Sequence, residues 1–198
     1  MSARPVWRLP LAPPYPADDM GWGRASLLRG HGAACVAAFL GYGDDAALPD
    51  RMLPHGLRLG PGRVAPDLFR TRAGLIVASR AARAAIEALE PGRHRNWPVT
   101  LFDATGGMGG RHGLIVRAQG HALREAPGLV HAEPAAPCLG LPRHVALTGE
   151  AAAVDPARLP RAHLWWDRAL SVPYLLASDA LAERLAALPL PPRMVRCR

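Results

Sequence analysis

One short pattern occurs twice in this chain, and it constrains the architecture more than any other feature. Residues 75–90 read Leu-Ile-Val-Ala-Ser followed by Arg-Ala-Ala-Arg-Ala-Ala-Ile-Glu-Ala-Leu-Glu, and residues 174–188 read Tyr-Leu-Leu-Ala-Ser followed by Asp-Ala-Leu-Ala-Glu-Arg-Leu-Ala-Ala-Leu. Each copy predicts an apolar strand, then a serine, then an amphipathic helix. Ser79 and Ser178 are good N-caps, because a serine hydroxyl oxygen accepts a hydrogen bond from the first helical turn.

Both predicted helices carry one apolar stripe and one charged face, which is the pattern of a helix packed on a core. The stripes comprise Ala82, Ala85, Ile86 and Leu89 in the first copy and Leu181, Leu185 and Leu188 in the second. Capping accounts for both serines, and neither lies in a Gly-x-Ser-x-Gly turn. The repeated unit therefore indicates scaffold rather than a catalytic nucleophile.

Strands are predicted elsewhere by short apolar or alternating runs. These runs are Val6–Leu9, Trp97–Phe102, His112–Arg117, His144–Thr148, His163–Asp167 and Met194–Cys197. The glycines at 106–110 predict a turn that makes a hairpin of the second and third runs. Residues 33–40 fit a buried strand or a short helix, and residues 51–70 predict loop with a helical turn at 67–69. Residues 118–142, which are spaced by prolines and glycines, also predict loop.

Helices that alternate with strands and hairpins predict an α+β fold with a mixed, mostly antiparallel sheet. The units capped by Ser79 and Ser178 are expected to pack on it, with both strand exits in one sheet. Residues 1–58 are predicted to be an N-terminal extension, partly irregular and packed on the main domain, which is expected to span 59–198.

The net charge of +8 does not by itself indicate nucleic-acid binding. All 24 basic residues are arginine, which is typical of a GC-rich coding bias, and they are scattered without aromatic interleaving. An arginine-rich nucleic-acid-binding module remains an alternative. No secretion signal or membrane-length apolar run occurs, so we expect a cytoplasmic protein.

Motifs for cofactors and metals were not found. Cys35, Cys138 and Cys197 are far apart and form no Cys-x-x-Cys pair, and the eight histidines form no metal-binding motif. The glycines at 106–110 precede a strand rather than a helix, unlike a phosphate loop. No cofactor, metal site or catalytic residue is predicted, but a small hydrolase that pairs a histidine with Asp103, Asp155 or Asp167 remains an alternative.

Trp165 and Trp166 are adjacent on a predicted strand, so their side chains face opposite ways. Two interpretations stay open. One indole is exposed as a partner-binding anchor beside Arg168, or both faces of the strand are buried.

Several motifs form an ordered set across the second two thirds of the chain. The set comprises Pro66-Asp-Leu-Phe, Leu75-Ile-Val-Ala-Ser79 with its helix to Pro91-Gly92, His94-Arg-Asn-Trp-Pro98-Val99, Val154-Asp-Pro156, His163-Leu-Trp-Trp-Asp167 and Tyr174-Leu-Leu-Ala-Ser178-Asp179. It resembles the immunity proteins of bacterial polymorphic-toxin systems, in particular immunity family eleven, over about residues 60–198. Alanine precedes both serines here, where valine is commoner in the family.

The resemblance implies a cytoplasmic protein that binds a cognate toxin secreted by sister cells and blocks it directly. It carries over no catalytic residue. Since tight interfaces use aromatic and arginine anchors, composition predicts partner contacts at Trp165, Trp166 and Arg168, with Arg111 and His112 at the hairpin as alternatives.

Overall fold

A computed structural model describes residues 5–9, 11, 17–20, 31–42, 45–46, 48–59, 64–71, 74–103, 106–124, 129–132, 144–147, 153–169 and 174–197. The helices within them are α1 (His31–Phe39), α2 (Arg80–Glu87) and α3 (Asp179–Ala186), with 3₁₀ turns at Asp50–Met52 and Pro156–Arg158. The strands are β1 (Val6–Arg8), β2 (Ala17–Met20), β3 (Gly56–Leu59), β4 (Leu68–Arg70), β5 (Ile76–Ala78), β6 (Arg95–Asp103), β7 (Gly106–Ile115), β8 (Gln119–Gly120), β9 (Leu123–Arg124), β10 (Leu129–Ala132), β11 (His144–Leu147), β12 (Ala153–Val154), β13 (Leu164–Asp167), β14 (Tyr174–Ser178) and β15 (Val195–Arg196).

Two main sheets make up the described fold. One has the strand order β2-β3-β6-β7-β5-β4 and the other the order β15-β1-β14-β13-β8, and β10–β11 and β9–β12 form separate short pairs. Neighbouring strands are antiparallel except in the β3–β6 and β8–β13 pairs. The α+β class with mixed, mostly antiparallel pairing is thereby confirmed.

Both serine caps form as the repeated pattern predicts. The Ser79 hydroxyl oxygen accepts a hydrogen bond from the Ala82 N–H at 3.1 Å, and that of Ser178 accepts from the Leu181 N–H at 3.3 Å. The prediction that both units leave one sheet is wrong, because β5 lies in the six-stranded sheet and β14 in the five-stranded sheet. The apolar pattern of a strand predicts its burial but not its neighbours.

The two sheets contain the same four-strand arrangement. In the first unit the order is β4-β5-β7-β6, with α2 between β5 and β6; in the second it is β13-β14-β1-β15, with α3 between β14 and β15. The N-terminal strand β1 thus takes the place in the second unit that β7 takes in the first. The described strands β1, β2 and β3 are therefore parts of the two main sheets, and the domain boundary predicted between 58 and 59 falls inside β3.

Matching positions of the two units line one shared core. The matched pairs in this core are Leu68 with Leu164, Ile76 with Leu175, Ala78 with Ala177, Ala82 with Leu181, and Ile86 with Leu185. Neither helix could bury its apolar stripe without the other unit, so burial of apolar surface holds the two units together.

The outer faces of both sheets carry a further core each. Helix α1 resolves the ambiguity of residues 33–40 in favour of a helix, and its Phe39 stacks on Trp97 with ring centroids 6.2 Å apart. Trp165, Leu176 and Cys197 belong to the core on the outer face of the five-stranded sheet. No helix among the described residues is long and apolar enough to cross a membrane.

Three local predictions are wrong. Asp67–Phe69 does not form a helical turn, because Leu68 and Phe69 pair with β5 as part of β4. The glycines at 106–110 are not a turn but the first half of β7, paired with β6. Residues 118–142, predicted as loop, contain β8, β9 and β10 where they are described. In each of these segments, main-chain hydrogen bonds to an adjacent strand determine the secondary structure.

Candidate partner-binding site

Trp165 and Trp166 are core residues and present no surface to a partner in this fold. Each is only 1% exposed. A Cβ atom added at Gly41 would lie 2.5 Å from Trp166, and one at Gly120 would lie 2.8 Å from Trp165, so each indole packs directly on a glycine. The interpretation of a strand buried on both faces therefore describes β13, and the exposed-indole interpretation does not.

Arg168 is partly exposed but makes contacts within the chain. Its guanidinium carbon lies 5.5 Å from the centre of the Tyr42 ring, and Nη1 donates to Gln119 Oε1 at 2.9 Å. Arg168 follows β13 of the five-stranded sheet, whereas Arg111 and His112 lie on β7 of the six-stranded sheet. The predicted contact residues therefore do not form one surface.

The aspartates proposed for a histidine–aspartate pair have other partners. Asp167 is buried, and its carboxylate accepts from the Ala122 and Leu123 N–H groups at 2.6 and 3.2 Å. Asp155 lies 2.6 Å from an Arg124 guanidinium nitrogen. The side chain of Asp103 lies outside the described part of the structure, as does Cys138.

One histidine does meet a carboxylate, in the interior. His94 Nδ1 accepts from the Arg117 N–H at 3.3 Å, so the ring proton lies on Nε2, which donates to Glu90 Oε2 at 3.0 Å. Glu90 Oε2 also accepts the Leu164 N–H of the other unit at 2.8 Å. Burial alone would raise the pKa of Glu90. The hydrogen bonds from the His94 side chain and from the His163 and Leu164 backbone outweigh this effect and lower the pKa. The pair thus joins the two units.

A second histidine meets a serine where β13 and β14 lie side by side. His163 Nδ1 and the Ser178 hydroxyl oxygen are 2.7 Å apart. The same oxygen caps α3, and the Ser178 N–H donates to the His163 carbonyl. The contact therefore fixes the strand end from which α3 starts.

The most distinctive surface lies between α2 and the strands β6 and β7. A cavity of about 10 Å³, room for about one water molecule, opens there. Its lining residues are Ala78, Arg83, Ile86, Glu87, Asn96, His112 and Leu114. The His112 Nδ1 atom is buried and has no hydrogen-bond partner among the described residues.

Two guanidinium groups, those of Arg80 and Arg83, lie near His112, and the cavity has one carboxylate, that of Glu87. Burial lowers the pKa of His112, and the nearby charges of Arg83 and Arg80 lower it further. Neither guanidinium group makes a hydrogen bond or ion pair that involves the described part of the chain. The Glu87 carboxylate forms its described hydrogen bonds with other groups. It accepts from Asn96 Nδ2 at 2.9 Å and from the Gly92 N–H at 3.0 Å.

The strand beside the cavity has an open edge. Strand β5 pairs only with residues 112–114 of β7, and no other described strand pairs with that side of residues 106–111. A Cβ atom added at Gly109 or Gly110 would meet nothing within 4 Å. We call this open edge, together with Arg80, Arg83, Arg111 and His112, the β7 edge site.

Arg111 connects the edge to the segment that precedes β4. Its Nη2 donates to the Ala65 carbonyl at 3.3 Å, and its Nη1 lies 3.9 Å from Asp67 Oδ1. The adjacent Val64 is 66% exposed. An apolar side chain therefore stands in solvent next to the cationic edge.

Sequence reasoning found Arg111 and His112 but missed Arg80 and Arg83, which it assigned to the wet face of a helix. A signal was present. A cation in the first helical turn opposes the macrodipole, and the second unit carries Asp179 where the first carries Arg80. An unfavourable charge at a repeated position is a reason to look for function there.

Compared in sequence with protein-family models and with curated proteins, the chain matches none of them. Within the described residues, no three histidine, cysteine, aspartate or glutamate side chains are placed to share a metal ion. Cys35 and Cys197 are free and buried. The β7 edge site is the surface feature of the described structure that indicates binding.

Proposed function

We propose that this protein acts by binding another protein, in the way of the immunity proteins that its motifs resemble, and neutralises a cognate bacterial toxin by direct contact in the cytoplasm. The observation that carries the proposal is the β7 edge site, where a strand edge without a described partner strand runs beside the guanidinium groups of Arg80 and Arg83. Open edges accept an added strand through main-chain hydrogen bonds, which is a common form of protein recognition.

The charge distribution favours a protein partner over nucleic acid. The described arginines away from the site are dispersed over several elements, and some of them are paired with carboxylates. These ion pairs are Arg93 with Glu90, Arg95 with Asp50, Arg117 with Asp45, and Arg124 with Asp155. Nucleic-acid binding draws on a longer series of free cations, roughly 6–10 phosphate contacts for a strongly salt-dependent binder. The exposed Val64 beside the edge also suits a protein surface.

The two histidine contacts, Glu90–His94 and His163–Ser178, favour a binding function over a catalytic one. The Glu90–His94 pair is buried and joins the two units, and the His163–Ser178 contact belongs to a helix cap. Each group already has a structural role that accounts for its placement. We therefore assign the function to the surface.

The proposal predicts a toxin gene beside this gene, and co-expression with that toxin tests it. We expect the chain to restore growth of cells that express that toxin, and the purified proteins to elute as one complex in size-exclusion chromatography. Absence of both rescue and complex would overturn the proposal. Salt-sensitive binding of a labelled oligonucleotide, without a toxin complex, would favour the nucleic-acid alternative instead.

A further inference from the structure

The two units differ in chemistry at one matched pair of positions. On β7, His112 pairs with Ala78 of β5, and on β1, Trp7 pairs with Ala177 of β14. Ala78 and Ala177 are themselves matched, and each is followed by its serine cap and helix. His112 beside Arg80 in the first unit therefore corresponds to Trp7 beside Asp179 in the second.

In the second unit this position is closed by a hydrogen bond. Trp7 Nε1 donates to Asp179 Oδ1 at 2.8 Å. The first unit has no carboxylate there, since its helix begins with Arg80. His112 Nδ1 stays without a described partner, and the small cavity opens beside it. In the second unit, Asp179 accepts the hydrogen bond from Trp7. In the first unit, no described carboxylate accepts a hydrogen bond from His112.

We propose that this position beside His112 receives a carboxylate of the partner: an aspartate or glutamate on an extended segment that adds to the open edge of β7. The inference rests on the proposed function and names the partner's chemistry. The incoming carboxylate accepts a hydrogen bond from His112 and lies near Arg80 and Arg83, and the flanking backbone pairs with residues 106–111 of β7.

Three features select this occupant. The cationic groups of the site call for an anion, and the one acidic side chain of the cavity, Glu87, already has two donors. The cavity has room for about one water, which is the size of a single carboxylate oxygen. The open strand edge and exposed Val64 favour an extended protein segment that brings the carboxylate with it.

The first experiment needs no toxin. The full chain, labelled at histidine, is titrated with a terminally blocked acidic peptide, acetyl-Thr-Val-Asp-Val-Thr-Val-amide, while the His112 ring resonances are followed by NMR. We expect the aspartate peptide to shift these resonances and to raise the pKa of His112, because it places a negative charge beside the ring. The matched peptide with asparagine should bind at least about tenfold more weakly.

The charged groups near His112 on the packed element are Arg80, Arg83 and Glu87 of α2, whereas the adjacent Arg111 of β7 points to the other face of the strand. The response is therefore assigned with an Arg83→Ala variant, which should weaken peptide binding. Equal responses to both peptides, or none to either, would overturn the inference. A response to inorganic phosphate alone would identify a general anion site and would overturn it too.

The second experiment uses the toxin complex. Arg80→Glu gives the first unit a carboxylate of its own, as Asp179 does for the second. We expect this variant to fold and to bind the toxin at least about tenfold more weakly, because the place of the partner's carboxylate is taken. Arg184→Glu, the same charge change on exposed α3, is the matched control and should bind like the original protein.

The two proposals fail differently. If the original protein forms no toxin complex, the proposed function fails, and the peptide experiment still decides whether the site takes a carboxylate. If the complex forms and Arg80→Glu binds as tightly as Arg184→Glu, the carboxylate inference fails and the proposed function stands.

Discussion

Asp45 illustrates how single charged residues stabilise this fold. Its carboxylate is nearly buried and accepts from Arg117 Nε and Nη2 at 2.9 and 2.8 Å, and Arg95 Nη1 lies 3.7 Å away. Burial alone would raise the pKa of Asp45, but the hydrogen bonds and charges of Arg117 and Arg95 outweigh it and lower the pKa. The cluster ties the segment after α1 to β6 and to the end of β7.

This cluster predicts a pH-dependent contribution to stability. A lowered folded-state pKa means that the contribution is present above the ordinary aspartate pKa of 3.8 and is lost as the pH falls through the lowered value. Asp45→Asn should reduce the free energy of unfolding at pH 7 by about 2 kcal/mol and flatten its fall in acid. Urea denaturation across the acid range measures both effects.

Asp50→Asn is the matched control, because Asp50 also contacts Arg95 but its side chain is 83% exposed. It should cost much less than Asp45→Asn. Equal losses for the two variants would contradict the role assigned to the buried carboxylate.

At the scale of elements, the repeated serine is the feature whose local geometry follows from sequence alone. Both serines have extended backbone and accept a hydrogen bond from the third residue after them. Among the described residues, only the Ser178 hydroxyl has a second side-chain contact, with His163. Both serines therefore cap their helices in the same way, but Ser178 also contacts the residue before β13.

Replacing each serine with alanine separates these roles. Ser79→Ala should lower the free energy of unfolding by about 1 kcal/mol, the usual cost of a lost N-cap. Ser178→Ala should cost more, because it also removes the His163 contact. Chemical denaturation measures both. A Ser178→Ala variant that keeps its stability but no longer neutralises the toxin would contradict the structural role and favour the hydrolase alternative.

The elements that the sequence predicts well are those fixed by local chemistry. The capped helices and the strands at 6–8, 144–147, 164–167 and 195–196 follow from apolar patterns and capping residues. The strand at Leu68–Arg70 and the glycine-rich half of β7 do not, because pairing with distant strands determines them. Composition also could not decide whether Trp165 is exposed, since that depends on Gly120 of another segment.

The candidate site was only half predictable for the same reason. Arg111 and His112 stand out on a hairpin, but their proximity to Arg80 and Arg83 arises only when β7 pairs with β5. The missing hydrogen-bond partner of His112 is a property of the assembled structure. The contrast between Arg80 and Asp179 was the one local sign of it.

At the scale of the whole molecule, each unit holds the other through its segment after the helix. Glu90, after α2, accepts the Leu164 N–H at the start of β13. In the reverse direction, Leu190, after α3, exchanges two hydrogen bonds of 2.8 Å with Asp67 next to β4. These contacts and the shared core predict one cooperative unfolding transition for both units.

Removal of residues 1–11 tests how far the N-terminal segment belongs to this assembly. Since β1 lies between β14 and β15 and buries Val6 and Leu9, the deletion should cost on the order of 4 kcal/mol and expose β14 and β15 to amide exchange. Hydrogen exchange and urea denaturation measure both. An unchanged unfolding midpoint would instead support an accessory extension.

Trp7→Phe is the matched control, because it keeps the strand and removes only the indole hydrogen bond to Asp179. It should cost about 1 kcal/mol. A loss as large as that of the deletion would assign the effect to the tryptophan rather than to the strand.

The position of β1 also has a consequence for the order of events during synthesis. The ribosome makes β1 first and its two neighbours, β14 and β15, last, whereas β4 to β7 follow one another directly along the chain. The first sheet can therefore assemble while the chain is still emerging. The second must wait until β14 and β15 have been made, with a short apolar strand kept unpaired in the meantime, so its closure over such a long sequence separation should set the pace of folding.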